Sequence, residues 1–141
     1  MVESYIAAYL SSRMATPVIS GPELPNDPQE LIVVRSFGGS LDAWRSQADA
    51  TIQIVAMSRS HFRSQQLALQ AQQVLSYRVG FQIDPPQELT GEQPLPSLRI
   101  MRLSSIGLPE PMGLERGRYV STQRAIVQYI LSTAETPLTG G

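Results

Sequence analysis

Apolar residues at the start of the chain recur at the spacing of a helix, so one side of each turn is hydrophobic. These residues are Val2, Tyr5, Ile6, Tyr9 and Leu10. A second helical pattern covers 60–77, where Ser58 or Ser60 is placed to cap the first turn and the apolar positions share much of one face. The sequence therefore predicts helices over residues 2 to about 13 and 60 to about 77.

Four other stretches have the pattern of β-strands. Residues 31–37 are a short β-branched run, and residues 50–57 alternate between two faces. In 98–103, Leu98 and Ile100 are expected to face away from Met101 and Leu103. The last stretch, 119–132, predicts a long strand, with a helix left open for its second half.

Proline and glycine recur through the rest of the chain, so we do not expect helices or strands in those segments. Long connections are expected over 15–30 and 80–97, and a turn-rich excursion over 105–117. Gly38 to Gln47 is polar and is either a hairpin tip or a protruding loop, of which its length favours the loop. Loops of this length in a small domain commonly contact a partner.

The order of these elements is helix, strand, strand, helix, strand, strand. It predicts an α+β fold in which a single, mostly antiparallel sheet of about four strands carries two helices on one face, with long Pro/Gly-rich loops. The length of 141 residues suits one domain, expected over 1–132. Residues 133–141 are expected to form a flexible C-terminal tail.

Charged residues are unevenly distributed along the chain. The formal net charge is −1, yet residues 1–58 carry three Arg against six acids, and residues 59–141 carry eight Arg against six acids. A near-neutral chain has no overall attraction to nucleic acid or to an anionic membrane. No apolar run is long enough to cross a membrane and no secretory signal is evident, so we expect synthesis in the cytoplasm and no membrane contact.

The residues that chemistry would need are sparse. The chain has no Cys and a single histidine, His61, which excludes thiolate chemistry and leaves a triad or a metal site with one candidate. Gly38 and Gly39 lack the lysine of a phosphate-binding loop. We therefore predict that the protein is not an enzyme and has no catalytic residues, no metal site and no cofactor.

Two features could serve recognition. Arg59 and Arg63 lie four residues apart, so they share a helix face that would suit phosphate or an acidic surface, although an ordinary solvated face is the commoner case. Trp44 lies in a polar segment, where a tryptophan either folds back into the core or anchors an interface. Both interpretations of Trp44 stay open at this point.

Several segments, in order, resemble the tail-terminator and minor capsid proteins of long-tailed bacteriophages, a family of tail-completion and head–tail joining proteins. The run from Asp49 to Val55, followed by the helix over 60–77, is similar to the strand-then-helix centre of that family. The segment from Pro109 to Tyr119, with its proline-led turn, acid and Gly-Arg pair, is similar to the family's approach to the last strand. With the N-terminal helix, the resemblance covers most of the chain.

The resemblance implies a structural virion protein at the head-proximal end of the tail. Such a subunit forms a ring, of six copies in this family, that caps the tail tube and joins it to the head. Its expected partners are further copies of itself, the tail-tube protein and a neck or head-closure protein. DNA would pass through the lumen without specific binding.

The expected interface residues come from the loop after Gly38 and from the segment before the last strand. They are Asp42, Trp44, Arg45, Glu115, Arg116 and Arg118. We expect the exposed arginines to lie at subunit and neck contacts, with Arg116 and Arg118 foremost, and the lumen to be neutral to acidic so that it does not grip the phosphate backbone.

Two other classes of protein stay open. A head-closure or adaptor protein of the neck would form the same kind of ring. A small enzyme or ligand-binding domain would be favoured by a well-formed pocket that combines His61 with two carboxylates.

Overall fold

The computed structural model of the chain describes residues 2–21, 23–26, 28–42, 47–76, 80–85, 97–115 and 117–132. Within these residues there are two helices, α1 (Val2–Arg13) and α2 (His61–Ser76). The strands are β1 (Val18–Ser20), β2 (Leu31–Asp42), β3 (Gln47–Ser58), β4 (Phe81–Ile83), β5 (Ser97–Glu115) and β6 (Arg118–Ser132). The predicted flexible tail, 133–141, lies outside the described residues.

The strands form one mixed sheet in the order β1-β2-β3-β6-β5-β4. β1 runs parallel to β2, and every other neighbouring pair in the described sheet is antiparallel. Long hairpins, β2–β3 and β5–β6, make up most of it. Of the inner strands, β3 pairs along its whole length with β6, from Gln47↔Ile130 to Ser58↔Tyr119.

The predicted sheet of about four strands is wrong, because the described residues alone contribute six strands to a mixed sheet that curls into a half-barrel. Two short strands, β1 and β4, lie inside the predicted proline-rich connections. β2 and β3 also extend as paired strands through most of the expected loop from Gly38 to Gln47. The excursion expected over 105–117 is largely the outer half of β5.

Register shifts explain how glycine and proline fit into these long strands. The β2–β3 register shifts between Ser36 and Gly38, and the β5–β6 register shifts at three places between Ile100 and Gly113. Such bulges accept an extra residue and bend the strand. The shift after Ile100 also places Leu103 on the same face as Ile100, which corrects the opposite orientation predicted for Leu103.

Both helices pack on one side of the sheet, which we call the helix face. α2 begins after Ser60, whose hydroxyl accepts a hydrogen bond from the Arg63 amide at 3.3 Å, as expected of a helix cap. The main hydrophobic core lies under the helices and draws residues from α1, α2 and at least five strands. The predicted helices are confirmed over nearly their whole length.

The curl of the sheet is visible in the contacts of α1. This helix contacts β1 and β2 at one edge and β4 at the other, although those edges are separated by three strands in the sheet order. Tyr9 of α1 packs its ring 5.0 Å from the ring of Phe81 in β4. The sheet therefore bends around α1, which bridges its two edges.

The opposite side, which we call the open face, has a smaller core of its own. Its members are Leu31, Val33, Val55, Met57 and Val120. Leu24, from the proline-rich segment between β1 and β2, packs on this cluster. No helix in the described part of the chain covers this face.

Candidate functional site

The most exposed apolar side chains of the described chain gather near the β5–β6 turn and the start of α2. In β5, Leu108 is 80% exposed, Met112 62% and Leu114 64%. In α2, Phe62 is 73% exposed and Leu69 is 42% exposed. Large apolar side chains left in water are costly when they cluster, so such a group marks a surface that a partner covers. We call these five residues the apolar arm.

Part of the apolar arm forms a cleft of about 470 Å³ between α2 and β5. Its lining residues are Phe62, Gln65, Gln66, Leu69, Leu108 and Pro109. An apolar floor with two amide side chains at its edge suits a hydrophobic side chain of another protein, together with a hydrogen bond to that chain's backbone. Nothing in this set of side chains supplies a nucleophile or a base.

β5 also has an unpaired edge. β4 pairs with it only over Ile100 to Leu98, and from Arg102 to Glu115 the described structure places no strand on that side. β2 is similarly paired by β1 only over Ile32 to Val34, and the described strands leave it free from Arg35 to Asp42. Free strand edges present backbone donors and acceptors that invite pairing with another chain. Among the described strands, the sheet therefore has a long unpaired stretch on each side.

Of the six interface residues predicted from the sequence, three lie in the described structure. Asp42 ends β2, where it pairs with Gln47, and Glu115 ends β5 with an exposed side chain. Arg118 begins β6 directly opposite Glu115. The other three, Trp44, Arg45 and Arg116, lie outside the described residues.

Arg118 has a different position from the exposed one expected for it. Its side chain is 3% exposed, and its guanidinium donates hydrogen bonds to the backbone oxygens of Pro28, at 2.9 Å, and Pro25. Its Nε has no hydrogen-bond partner among the described residues. Arg118 thus fastens the proline-rich segment to the open face, and its burial leaves little of it for another subunit.

Arg59 and Arg63 also contact the segment before β2. Arg59 donates to the Gln29 side chain, and Arg63 forms an ion pair with Glu30 at 3.0 Å while donating to Gln66 at 2.8 Å. These contacts satisfy much of the hydrogen-bonding capacity that a phosphate group would otherwise use. The pair therefore serves the fold of this segment.

His61 does not combine with carboxylates. It is exposed at the start of α2, with its ring centroid 5.5 Å from that of Tyr119. Two other clefts are described. The lining of one includes Arg13 and Asp84, the lining of the other includes Arg13 and no acid, and neither includes His61. In the described part of the chain, no group of three or more His, Asp or Glu is placed to hold a metal ion.

Sequence reasoning missed the apolar arm because it interpreted 105–117 as turns. One signal was available in the sequence. Leu108, Met112 and Leu114 are large apolar residues in a Pro/Gly-rich segment that is not predicted to contribute to the hydrophobic core. Neither helix in the described residues is long and apolar enough to span a membrane. Comparison with protein-family models finds no match, and comparison with curated proteins finds no significant match.

Proposed function

We propose that the protein is a structural subunit of a long-tailed phage, a tail terminator that forms a ring on the tail tube and joins it to the head. The observation that carries the proposal is the apolar arm beside a stretch of β5 that the described strands leave unpaired. A surface of this kind is built for a protein partner, and it holds no chemistry for a substrate.

The partner of the apolar arm is a second copy of the chain. The described strands leave one stretch of β5 and one of β2 unpaired, at opposite sides of the sheet. The β5 side of one copy can therefore contact the β2 side of the next copy. Such a contact is heterologous, because two different surfaces meet. Heterologous contacts close into a ring when the rotation between copies divides a full turn, and they otherwise continue as a filament.

Side chains contribute more to this contact than backbone pairing does. Pro109 and Pro111 lie on the free edge of β5 and have no amide hydrogen to donate. Leu108 and Phe62 therefore act as anchors that enter a neighbouring surface, with the backbone of β5 between Arg102 and Ile106 able to pair. Truncation of such an anchor costs about 2 kcal/mol or more of binding energy.

The resemblance supplies the remaining parts of the proposal. It implies six copies in the ring, a tail-tube protein on one side and a neck or head-closure protein on the other. The subunit is predicted to have no catalytic activity and no cofactor. Its place is the head-proximal end of the tail in the virion.

Localisation in an intact virion by electron microscopy tests the assignment. The expected result is a ring of this chain between the last tube ring and the neck. Density along the whole tube, in the capsid shell or as a single copy would overturn the proposal. A ring one layer nearer the head would identify the chain as a head-closure or adaptor protein and would also overturn the terminator assignment.

The self-contact is tested separately with Phe62→Ser and Leu108→Ser in one chain. We expect this variant to keep the circular dichroism and thermal transition of the parent, and to lose incorporation into particles. Ile126→Ser is the control, because Ile126 is a 38% exposed apolar residue in the central strand β6, away from both proposed contact edges. Equal incorporation of the double variant and the parent would contradict the role of the arm.

A further inference from the structure

The side-chain amide of Gln66, at the cleft between α2 and β5, has a fixed orientation. Its Oε1 accepts a hydrogen bond from the guanidinium of Arg63 at 2.8 Å, and Arg63 is itself held by its ion pair with Glu30 at 3.0 Å. A guanidinium can only donate hydrogen bonds, so the oxygen of the amide must face Arg63. The amide nitrogen of Gln66 therefore lies on the other side, as a hydrogen-bond donor beside the cleft.

The described lining of this cleft contains no charged side chain. It consists of four apolar residues and two amides: Phe62, Leu69, Leu108, Pro109, Gln65 and Gln66. A charged group that entered it would lose its hydration without gaining a partner of opposite charge. The lining suits an apolar side chain with a hydrogen-bond acceptor next to it. An extended segment of another chain supplies both, because a backbone carbonyl flanks every side chain.

β1, at the far edge of the sheet, has an apolar side chain in such a position. It ends the strand order, so the described strands leave its outer edge unpaired. Ile19, at its centre, is 37% exposed and points to the open face, since it pairs with Val33 of the small core. The three residues of β1 include no charged side chain. A contact between β1 and the cleft would therefore bury no charge from either surface.

The backbone of β1 also has acceptors beside Ile19. The carbonyl of Pro17 accepts a hydrogen bond from an amide of β2 at 3.0 Å, and the amide of Gly21 donates to a carbonyl of β2 at 3.2 Å. Backbone groups alternate in direction along a strand, so Pro17, Ile19 and Gly21 direct theirs toward β2. The carbonyls of Val18 and Ser20 are therefore directed outward, one on each side of Ile19.

The positions of the other exposed apolar side chains favour Ile19 as the occupant. Outside the apolar arm, the large exposed apolar side chains of the described residues are Ile19, Met101 and Ile126. Met101 belongs to β5, on the same side of the sheet as the cleft, and Ile126 belongs to β6, a central strand. Of the three, Ile19 alone lies at the edge opposite β5, where a heterologous contact needs it.

We propose that the cleft receives the β1 edge of a second copy of the chain, with the side chain of Ile19 between Phe62 and Leu108. The amide nitrogen of Gln66 donates to a backbone carbonyl beside Ile19. This inference rests on the self-contact of the proposed function, and it names the two surfaces that meet. Because the surfaces differ, each copy still has one of each available for a further copy, as a ring requires.

Disulfide trapping tests the contact, and the chain has no Cys of its own to interfere. Ile19→Cys is mixed with Leu108→Cys under mild oxidation at about 1 mM, where a contact with a millimolar Kd is substantially populated. Mass spectrometry measures the mixed disulfide, which requires Cα atoms within about 7 Å. The control mixes Ile126→Cys with Leu108→Cys, because Ile126 is 38% exposed, close to the value for Ile19.

We expect several times more mixed disulfide with Ile19→Cys than with Ile126→Cys. Equal yields would mean that the disulfides form by random collision, and the proposal would be overturned. Leu108→Cys alone should give little disulfide, because the apolar arm of one copy does not meet that of the next. If it gives as much as the mixture with Ile19→Cys, the contact is isologous and the proposal is wrong.

A charge-matched pair of variants tests the hydrogen bond from Gln66. Gln66→Glu, added to the Leu108→Cys chain, keeps an acceptor for Arg63 but removes the donor. We expect the mixed disulfide to fall about fivefold, as for the loss of one hydrogen bond. Gln73→Glu is the control, since it adds the same charge at an exposed position of α2. Thermal unfolding checks that both variants fold. The same yield in both would overturn the role of Gln66.

The trapping experiment needs no phage particle, so its result is independent of where the chain lies in a virion. A mixed disulfide from a chain that is located outside the tail would sink the terminator proposal alone. Absence of the mixed disulfide above the Ile126→Cys control, for a chain that microscopy places in the ring, would sink only the contact between β1 and the cleft.

Discussion

The helix face and the open face of the sheet both bury apolar side chains, but they do so under different covers. Two helices of 12 and 16 residues cover the helix face and contribute their own apolar residues to a core that includes at least five strands. The open face buries five residues beneath a proline-rich segment, with Leu24 as the covering side chain. The described residues of the second cover form no helix or strand.

A cover without secondary structure must be fastened by side chains. Helices satisfy their own backbone groups, whereas the segment from Leu24 to Pro28 needs donors from elsewhere. Arg118 supplies them through its bonds to Pro25 and Pro28. On the open face, hydrogen bonds from arginine side chains hold the covering segment, with Arg118 bound to its centre and Arg59 and Arg63 bound to its end.

Removal of this fastening should have the largest effect on stability. For Arg118→Ala we expect a loss of about 3 kcal/mol in the free energy of unfolding, because two backbone carbonyls lose charged donors and the segment over the small core loosens. Urea unfolding monitored by circular dichroism measures this loss. Faster proteolysis between residues 21 and 30 should accompany it.

Arg124→Ala is the matched control for that experiment. Arg124 lies on the same strand and the same face, but it is exposed. Surface substitutions usually change stability by no more than about 0.5 kcal/mol. If the two variants lose the same stability, the idea that Arg118 holds the cover is wrong.

A pair of adjacent valines compares the two covers directly. Val33 and Val34 are neighbours in β2, both are fully buried, and they point to the open face and the helix face respectively. We expect Val34→Ala to cost about 2–3 kcal/mol and Val33→Ala about 1–2 kcal/mol, since the cost grows with the cavity that neighbours fail to fill. Chemical denaturation of both variants measures the difference.

The physical reason for this difference is the stiffness of the cover. Helices packed in a large core cannot move into a small cavity without disturbing many contacts, whereas an irregular segment can shift toward the sheet. A larger loss for Val33→Ala than for Val34→Ala would contradict the comparison. It would mean that the proline-rich segment is the more rigid cover.

The same contrast explains what the sequence could predict. Regular periodicity predicted α1, α2 and the centres of β3 and β6 closely, because their burial pattern repeats along the chain. β1 and β4 have three residues each, too few for a period, and exist because β2 and β5 pair with them. Tertiary pairing of this kind leaves no local signal.

Proline and glycine misled the reading of the long strands. Pro109 and Pro111 argue against a strand by sequence, yet β5 passes through them, since a proline on an edge strand can direct its missing donor away from the pairing partner. Gly38 similarly continues β2 after a register shift. Proline and glycine therefore end strands more reliably in the interior of a sheet than at its edges.

The candidate surfaces were predicted only in part. The bulge after Ile100 changes the parity of β5, and the pairing of β2 with β3 places Arg35 opposite Gln53, neither of which the sequence specifies. The role of Arg118 depends on carbonyls about 90 residues away in the chain, as its contacts to Pro28 and Pro25 show.

A buried hydroxyl pair on the helix face should contribute less than either cover. Ser64 of α2 and Ser121 of β6 are fully buried, with their oxygens 2.9 Å apart, and Ser64 also donates to the His61 carbonyl at 2.8 Å. We expect Ser64→Ala and Ser121→Ala to cost about 1 kcal/mol each. In the double variant the costs should not add, because both changes remove the same hydrogen bond. Additive losses would show that the two hydroxyls act separately.

The smallest expected effect is a loss of stability at alkaline pH, and it concerns two tyrosines of the core on the helix face. Burial raises the pKa of Tyr5, and burial together with the carboxylate of Glu3 raises the pKa of Tyr129. A raised phenol pKa stabilises the fold below the ordinary value of about 10, and this contribution is lost as pH rises through the higher folded value. The chain has neither Lys nor Cys, so few other side chains titrate in this range.

We therefore expect the free energy of unfolding to fall above about pH 10, where the unfolded chain releases phenolic protons that the folded chain retains. The variant with Tyr5→Phe and Tyr129→Phe should show a shallower fall, by up to one proton per phenol removed. Urea unfolding at intervals between pH 8 and 11 measures both slopes, and near pH 8 the variant should show only the constant loss of two hydroxyl groups. An unchanged slope in the variant would mean that the phenols under α1 reach solvent in the folded protein, and the helix face would then be a looser cover than its packing indicates.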